Sequence, residues 1–173
     1  MMDTMKAVIR ELEPSERHLL GDFLYEAIYI PEGVKPPPKS VVDLPMLRVY
    51  VEGFGTLPGD HCLVAEADGQ VVGAAWSRIV DDYGHIDNAT PSLAISLMPE
   101  YRGQRIGPRL MRAMFSLLQE KGFLQVSRSV QMENPAVSLY QRLGFHIVEI
   151  RGTEYIMVRE LSMHVSVSEG SRI

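Results

Sequence analysis

The chain has 173 residues, a formal net charge of −5 at pH 7, and 46% hydrophobic and 23% charged residues. This length is that of one domain with enough chain to bury a core, and the composition is ordinary for a globular protein. The negative charge argues against a general nucleic-acid-binding protein, and the lack of an apolar run of about 18 residues argues against a membrane span. The single cysteine, Cys62, allows no disulfide within the chain, so we expect a cytoplasmic protein.

The first third of the chain predicts a strand and two helices separated by an irregular segment. Residues 6–11 are predicted to form a strand, and residues 14–30 a helix, because apolar residues recur there at helical spacing. Residues 31–45 contain three consecutive prolines, Pro36 to Pro38, which exclude a helix at that point. We expect this segment to be a mobile or functional loop, and it could act as a lid. A short helix is predicted over residues 44–51.

The next segment predicts a hairpin and a polar loop. Residues 61–67 and 71–79 are apolar runs joined by Asp68 and Gly69, a pair typical of tight β-turns. Residues 81–91 are mostly polar and predict a loop.

A strand that leads through a turn into a long helix lies at the centre of the chain. Residues 92–98 alternate larger apolar with smaller residues, as in a strand, and Pro99 ends it. Pro108 lies just inside the following helix, where its missing N–H would be unpaired in any case. Gly122 follows the last residue of the apolar pattern and is a typical stop signal.

The C-terminal part predicts one more strand, a short helix and a final hairpin. The strand covers residues 125–130, and the helix covers residues 135–143 with Asn134 as its N-cap. Residues 145–151 and 154–161 are predicted to pair as the hairpin. In chain order the elements therefore read βααββ, then βαβαββ.

This order predicts the fold class and the domain organisation. It indicates an α/β fold with a mixed central sheet of about six to seven strands, flanked by about four helices. We expect a single domain over residues 1–161 and a polar C-terminal tail over residues 162–173.

The turn between the central strand and the long helix predicts an anion site. The first N–H groups of a helix have no partner within the helix, and the helix dipole is positive there. Gly103 and Gly107 allow a phosphate to approach the backbone, and Arg102 and Arg105 add positive charge. The alternative is an ordinary turn whose arginines are solvated.

Two motifs carry a resemblance to a known family. Tyr101 to Gly107 resembles the acetyl-CoA signature of the GCN5-related N-acetyltransferases (GNAT), which is Arg or Gln, two residues, Gly, one residue, then Gly or Ala. Arg102 and Gly107 match its ends, whereas Arg105 stands where the family has its middle glycine. A left-handed backbone at that position would cost an arginine steric energy. Residues 134–145 resemble a second family element, with Asn-Pro-Ala, Leu-Tyr and Leu-Gly-Phe in the family's order.

The resemblance implies an acetyl-CoA-dependent N-acetyltransferase, and it implies which residues hold the cofactor. The turn would bind the pyrophosphate through Arg102, Gly103, Gln104, Arg105, Ile106 and Gly107. The pantetheine arm would pair with the backbone of Ile95, Ser96 and Leu97, in a slot between two strands that splay apart. Asn134 would touch the arm, and Tyr140 would protonate the departing thiolate. A direct attack by the acceptor amine would leave no acyl-enzyme.

The general base and the acceptor are less defined by the sequence. Residues 93–98 hold no carboxylate, so Asp87 in the preceding loop is the best acidic candidate, with Glu66, His85 and Glu52 weaker; a water chain could serve instead. The acceptor is expected to be a small-molecule or peptide amine that enters opposite the cofactor. Candidate lining residues are Tyr25, Tyr29, Tyr50, Trp76, Tyr83 and Asp87. The histidines show no ligand spacing, so no metal is expected.

Two other functions fit the same residues. A non-catalytic acyl-CoA sensor of this fold would bind the cofactor without turnover, and a protein–protein module built on Pro36 to Pro38 would not bind it. The resemblance also implies a possible homodimer, formed through the final strand over residues 154–161.

Overall fold

One mixed sheet runs through the part of the chain that the computed structural model describes, residues 6–161. Its seven strands lie in the order β1-β2-β3-β4-β5-β7-β6, and only β4 and β5 are parallel neighbours. The strands are β1 (Val8–Glu11), β2 (His61–Ala67), β3 (Gln70–Arg78), β4 (Ser92–Leu97), β5 (Gln125–Gln131), β6 (His146–Arg151) and β7 (Glu154–Glu160). The predicted α/β class is confirmed, and the expected tail at 162–173 lies outside the described residues.

Four α-helices accompany the sheet within these residues. They are α1 (Leu20–Glu26), α2 (Pro45–Arg48), α3 (Ile106–Glu120) and α4 (Ala136–Arg142). None of the helices in this part of the chain is long and apolar enough to cross a bilayer.

The predicted helix over residues 14–30 is wrong at both ends. Residues Pro14–Leu19 form a 3-10 helix, and α1 stops at Glu26. Pro31 disfavours helical backbone at the residue before it, and the Tyr29 hydroxyl donates to the carbonyl of Glu133 at 3.3 Å. The segment 27–30 therefore leaves the helix and contacts the loop that follows β5. The irregular segment after it also contains a 3-10 turn, Lys39–Asp43.

The two faces of the sheet bury separate apolar clusters. Helices α3 and α4 cover one face, where Leu110, Met114 and Leu118 of α3 are fully buried. Helix α1 and the segment after α2 cover the other face, where Phe23 and Trp76 are buried. Helices α1 and α3 therefore each bury one apolar stripe against the sheet, as their spacing predicts.

A buried ion pair fixes the segment between α2 and β2. Arg78 of β3 and Asp60 lie 2.9 Å apart, with side chains only 4% and 0% exposed. The Arg78 guanidinium also donates to the carbonyls of Val49 and Glu52 at 3.1 and 2.6 Å. The Asp60 carboxylate accepts the backbone N–H groups of residues 55, 56 and 57. One arginine thus ties a long connection to the sheet.

Strands β4 and β5 diverge after a single point of pairing. Their register contains one pair, Ser92 with Ser127, and the Ser127 N–H donates to the carbonyl of Pro91 at 2.9 Å. β4 remains paired with β3 along its full length, and β5 with β7. Beyond Ser92 the edge of β4 that faces β5 has no ladder, and a gap opens in the middle of the sheet. The gap lies where the resemblance implies a slot.

Candidate active site

A cavity of about 730 Å³ lies in the gap between the diverging strands, and we call it the slot cavity. Its walls come from the end of α1 and the segment after it, from β4, from the start of α3, and from α4. It brings together seven of the residues expected from the sequence, namely Ile95, Ser96, Leu97, Arg102, Gly107, Asn134 and Tyr140. Ile95 and Tyr140, which are 45 positions apart along the chain, thus share one concave surface.

The turn before α3 has the left-handed backbone that its motif requires. Gly103 has φ 77°, and Arg105, the N-cap of α3, has φ 66° and ψ 11°. A non-glycine residue in this region costs about 1–2 kcal/mol, so the departure from the family signature stores strain at this position. Arg105 and Gln104 are exposed, and Ile106 is buried in the core. None of these three residues lines the slot cavity, and neither does Gly103.

Arg102 stands at the mouth of the slot cavity and joins two elements. Its Nε donates to the carbonyl of Leu97 at 3.2 Å, and its Nη2 lies 3.0 Å from the carboxylate of Glu26. The side chain is 51% exposed, so this ion pair is worth little by itself. An anionic ligand at the mouth would meet a guanidinium already held near the start of α3.

Tyr140 is fixed at the inner wall of the slot cavity. It is 8% exposed, and its ring packs edge-on against Phe145. The Arg128 guanidinium lies 3.8 Å from the centre of the same ring. Within residues 6–161, Nε and Nη1 of Arg128 are buried without a hydrogen-bond partner, and nothing bonds the Tyr140 hydroxyl. The ring is therefore held by packing, which leaves its hydroxyl available to a ligand.

Asn134 starts the helix that carries Tyr140. Its Oδ1 accepts the N–H of Ala136 at 2.9 Å, which gives α4 the capping bond that the sequence predicts. The helix itself begins at Ala136, one residue later than expected. Asn134 lines the slot cavity and a second cavity beside it.

The second cavity, here the hairpin cavity, has a volume of about 480 Å³ and lies toward the β6–β7 hairpin. It shares Ala27, Ile28, Tyr29 and Asn134 with the slot cavity. Its other walls combine apolar and aromatic side chains with polar ones, namely Leu24, Leu47, Tyr50, Tyr83, Leu93 and Val130 on one hand, and Ser129, Gln131, Arg151, Thr153 and Glu154 on the other. Two ligands could therefore meet across the shared residues.

Two charged side chains line the hairpin cavity, and only one of them is paired. Arg151 lies 2.8 Å from the Glu149 carboxylate and donates to the carbonyls of Tyr83 and His85 at 3.2 and 2.9 Å. Glu154 is partly buried, and burial raises its pKa. Within the described chain it accepts no hydrogen bond and forms no ion pair. The sequence analysis missed Glu154, because only the β5–β7 register brings it to this cavity.

A buried carboxyl lies behind the wall of the hairpin cavity. Burial raises the pKa of Asp82 to about 6, against the opposing effect of its hydrogen bond from the Ser92 hydroxyl. Burial also raises the pKa of Tyr50, and the negative charge of Asp82 adds to this effect. Asp82 therefore acts on the cavity only through its charge, whereas Tyr50 lines the cavity directly.

The expected acceptor-lining residues divide between the two cavities and the core. Tyr25 lines the slot cavity, Tyr29 both cavities, and Tyr50 and Tyr83 the hairpin cavity. Trp76 does not contribute, because it is 1% exposed in the core and donates to the carbonyl of Tyr50 at 3.0 Å.

The structure does not bring Asp87 to either cavity. Its exposed carboxylate accepts the N–H of Ala89 at 2.8 Å, and this bond lowers its pKa. A lowered pKa is the opposite of what a general base near neutral pH requires. The base role of Asp87 stays a prediction that this geometry does not favour, because the polar loop turns its carboxylate back onto its own backbone.

The weaker base candidates are also placed elsewhere. Glu66 is paired with Arg10 and Glu52 with Arg48, each at 2.7 Å. The Nδ1 of His85 is buried without a partner in the described part, and His85 lines neither cavity. Within residues 6–161 no three His, Cys, Asp or Glu side chains cluster as metal ligands would.

Residues 58–147 match the family model of the acetyltransferase (GNAT) domain. The chain belongs to the GNAT acetyltransferase family. A relative from Bacillus subtilis, named as a putative [ribosomal protein bS18]-alanine N-acetyltransferase, is 36% identical over 115 residues. That match covers 65% of this chain and 72% of the relative.

Solved structures share the fold of this GNAT enzyme. The ribosomal-protein-S18-alanine N-acetyltransferase from Escherichia coli aligns with a TM-score of 0.67 at 19% identity, over 95% of this chain and 99% of that one. The yncA protein from Salmonella typhimurium, solved with its cofactor acetyl-CoA, aligns with a TM-score of 0.65 at 18% identity, over 94% and 98%. The protein is thus an N-acetyltransferase by family.

Proposed function

We propose that the protein moves the acetyl group of acetyl-CoA to a primary amine, by direct attack while both substrates are bound. The observation that carries this proposal is the slot cavity, which has Arg102 and the start of α3 at its mouth and Tyr140 at its inner wall. The GNAT family model and the acetyl-CoA in the Salmonella structure support the choice of donor. When bound, acetyl-CoA supplies the activated acetyl group and a thiolate leaving group.

The residues of the slot fit that donor. The unpaired edge of β4 at Ile95, Ser96 and Leu97 offers backbone N–H and C=O groups to an extended amide-bearing arm, as an added strand would use them. The free N–H groups at the start of α3 and the Arg102 guanidinium suit a pyrophosphate. Gly107 lines the cavity, so no side chain of its own separates a ligand from this helix start.

Tyr140 is proposed as the general acid. A phenol stays protonated at neutral pH, yet it can give its proton to a departing thiolate. The ring is locked between Phe145 and Arg128, so the hydroxyl is held in place without a bond to another described residue. Preorganisation of this kind is what a catalytic acid needs, because no rotamer must be fixed during the reaction.

The first test is calorimetric titration of the purified chain with acetyl-CoA and, separately, with CoA. The Arg102→Ala variant should raise the Kd about tenfold, which corresponds to about 1.4 kcal/mol for the lost charged contact. Arg112→Ala is the matched control, because Arg112 is exposed on α3 and lines neither cavity. Failure of the wild-type chain to bind either ligand would contradict the proposal and favour the interaction-module alternative.

The second test separates an enzyme from a sensor. Tyr140→Phe should lower turnover, followed by thiol release, by about 10²-fold or more while the Kd for CoA stays within about twofold. The Bacillus relative is named for an alanine of a ribosomal protein, which supports peptides with a free N-terminal alanine as the first acceptors, next to small primary amines. A wild-type chain that binds acetyl-CoA but acetylates neither class would overturn the catalytic proposal and favour the sensor.

A further inference from the structure

We propose that Glu154 is the group that receives the acceptor as an ammonium ion and takes its proton, so that the acceptor is a primary amine on an apolar body with no carboxylate beside the amine. This inference rests on the proposed function and adds to it the base and the acceptor class. The observation behind it is an unpaired carboxylate in the wall of a cavity that also presents aromatic and apolar side chains.

The register of the sheet places Glu154 on the side of the hairpin cavity. Glu154 of β7 is paired with Gln131 of β5, and directly paired residues present their side chains on one face. Ser129 lies two residues before Gln131 and shares that face. All three residues line the hairpin cavity. The carboxylate is therefore built into the sheet rather than carried on a loop, which gives it a defined position.

The charge of Glu154 is not balanced within the described chain. Arg151, the other charged lining residue, is already bonded to Glu149 and to two loop carbonyls. The groups that face Glu154 are the phenols of Tyr50 and Tyr83 and the guanidinium of Arg151, with the Asp82 carboxyl behind Tyr50. With Arg151 and Glu149 counted as a neutral pair, Glu154 adds one negative charge to the wall of the cavity. A partly buried carboxylate without a partner is costly until a cation joins it.

The shape and chemistry of the cavity define the acceptor. Tyr50 and Tyr83 offer ring faces, and Leu47, Leu93 and Val130 offer apolar contact. A free amino acid would bring its own carboxylate next to Glu154, so like charges would repel. An aryl or alkyl amine, or an amine beside a neutral amide, has no such charge. Asn134 and Tyr29 line both cavities, so the cavity that contains Glu154 adjoins the slot that would hold the acetyl group.

The proton balance is complete with groups already named. Glu154 takes one proton from the ammonium ion, and the free amine forms a bond to the acetyl carbonyl carbon as the carbon–sulfur bond breaks. Tyr140 gives its proton to the sulfur. The second proton of the nitrogen leaves to water, from which Tyr140 is protonated again. The products are one amide, one thiol and one proton, the last delivered to solvent by Glu154.

The test compares phenylalanine amide, phenethylamine and free phenylalanine as acceptors for the wild-type chain, Glu154→Gln and Glu154→Asp. The wild type should use the first two at least tenfold better, by kcat/KM, than free phenylalanine. Glu154→Gln should lower kcat/KM at pH 7 by about 10²-fold and remove the acid limb of its pH profile. Glu154→Asp should restore part of the activity. Glu160→Gln is the matched control, because Glu160 is an exposed residue on the same strand.

Two further readouts keep this inference separate from the proposed function. The Kd for CoA should be unchanged in Glu154→Gln, and phenethylamine should bind the CoA complex about tenfold more weakly, as followed by NMR titration. If the wild type acetylates amines but Glu154→Gln keeps its rate and its acid limb, only the role of Glu154 is overturned. If the wild type neither binds CoA nor releases thiol, the proposed function fails first.

Discussion

The slot cavity and the hairpin cavity share a wall, but they are built in different ways. The slot follows from a local motif and from two strands that separate after Ser92 and Ser127. The hairpin cavity depends on long-range contacts, in which Arg78 holds the segment around Tyr50 and Arg151 holds the loop around Tyr83. The backbone groups offered to the donor thus come from one stretch of chain, residues 95–107, although Tyr140 of α4 completes the slot. The acceptor side depends on side chains that are far apart in sequence.

This difference predicts which side of the candidate active site changes its ligand binding when residues are substituted. A slot formed by backbone groups tolerates substitution of its own residues, because the strand-edge groups and the helix N–H groups do not depend on residue type. A cavity walled by side chains from a loop, a hairpin and a helix changes shape with each of them. Changes on the acceptor side should therefore alter or destabilise that cavity while donor binding persists.

The largest expected effect comes from Arg78→Met, which leaves the carboxylate of Asp60 buried beside the loop. Breaking such a pair costs about 3–5 kcal/mol, because the remaining charge has no partner. Urea unfolding measures this loss, and titration with CoA below the unfolding midpoint should show an affinity close to that of the wild type.

Arg48→Met is the matched control for Arg78→Met. It removes an exposed pair whose side chains are 55% and 59% exposed, so it should cost less than about 1 kcal/mol. Equal losses for the two variants would contradict the role given to the buried pair.

Asp82→Asn should stabilise the fold at neutral pH, because burial raises the pKa of Asp82 to about 6. The folded carboxyl binds its proton more tightly than the unfolded one, so the wild type loses stability as the pH rises from about 4 to about 6. At about 1.4 kcal/mol per unit, the loss is at most about 3 kcal/mol. The difference between variant and wild type, measured by denaturant unfolding, should grow over this range and stay constant above it. A difference independent of pH would contradict the raised pKa of the buried Asp82 carboxyl.

Arg105→Gly and Arg105→Ala test the strain in the turn on the donor side. Both remove the same charge, but only glycine adopts φ 66° without steric cost. The glycine variant should be about 1 kcal/mol more stable than the alanine variant, as thermal unfolding would show. Because Arg105 does not line the slot cavity, the two variants should bind CoA with similar Kd. A more stable alanine variant would be inconsistent with the left-handed backbone.

The smallest effect is expected for Asp87→Asn, which lies outside both cavities. The asparagine oxygen can still accept the N–H of Ala89, so stability should change by less than about 0.5 kcal/mol. The kcat/KM for any accepted amine should stay within about twofold of the wild type. A loss above tenfold would restore Asp87 as the base and remove Glu154 from that role.

The sequence predicted the donor side well because its signals are local. Asp68 and Gly69 have φ 53° and 75°, as the tight hairpin turn requires, and the turn at Arg105 has the expected backbone. The roles of Arg102 and Tyr140 stay predictions, but the structure places both residues at one cavity. The helix over 14–30 was mispredicted, because the apolar pattern continued past the point where Pro31 and the contact of Tyr29 turn the chain.

The sequence alone therefore indicated the order of elements, the turn before α3 and the helix that carries Tyr140, since apolar spacing, caps and turn residues are local signals. Only the tertiary structure decided that Asp87 turns away and that Glu154 faces the second cavity. The register of β5 and β7 sets the position of Glu154, and a shift by one residue would move its side chain to the opposite face. That register depends on packing across the whole sheet, which no short stretch of sequence contains.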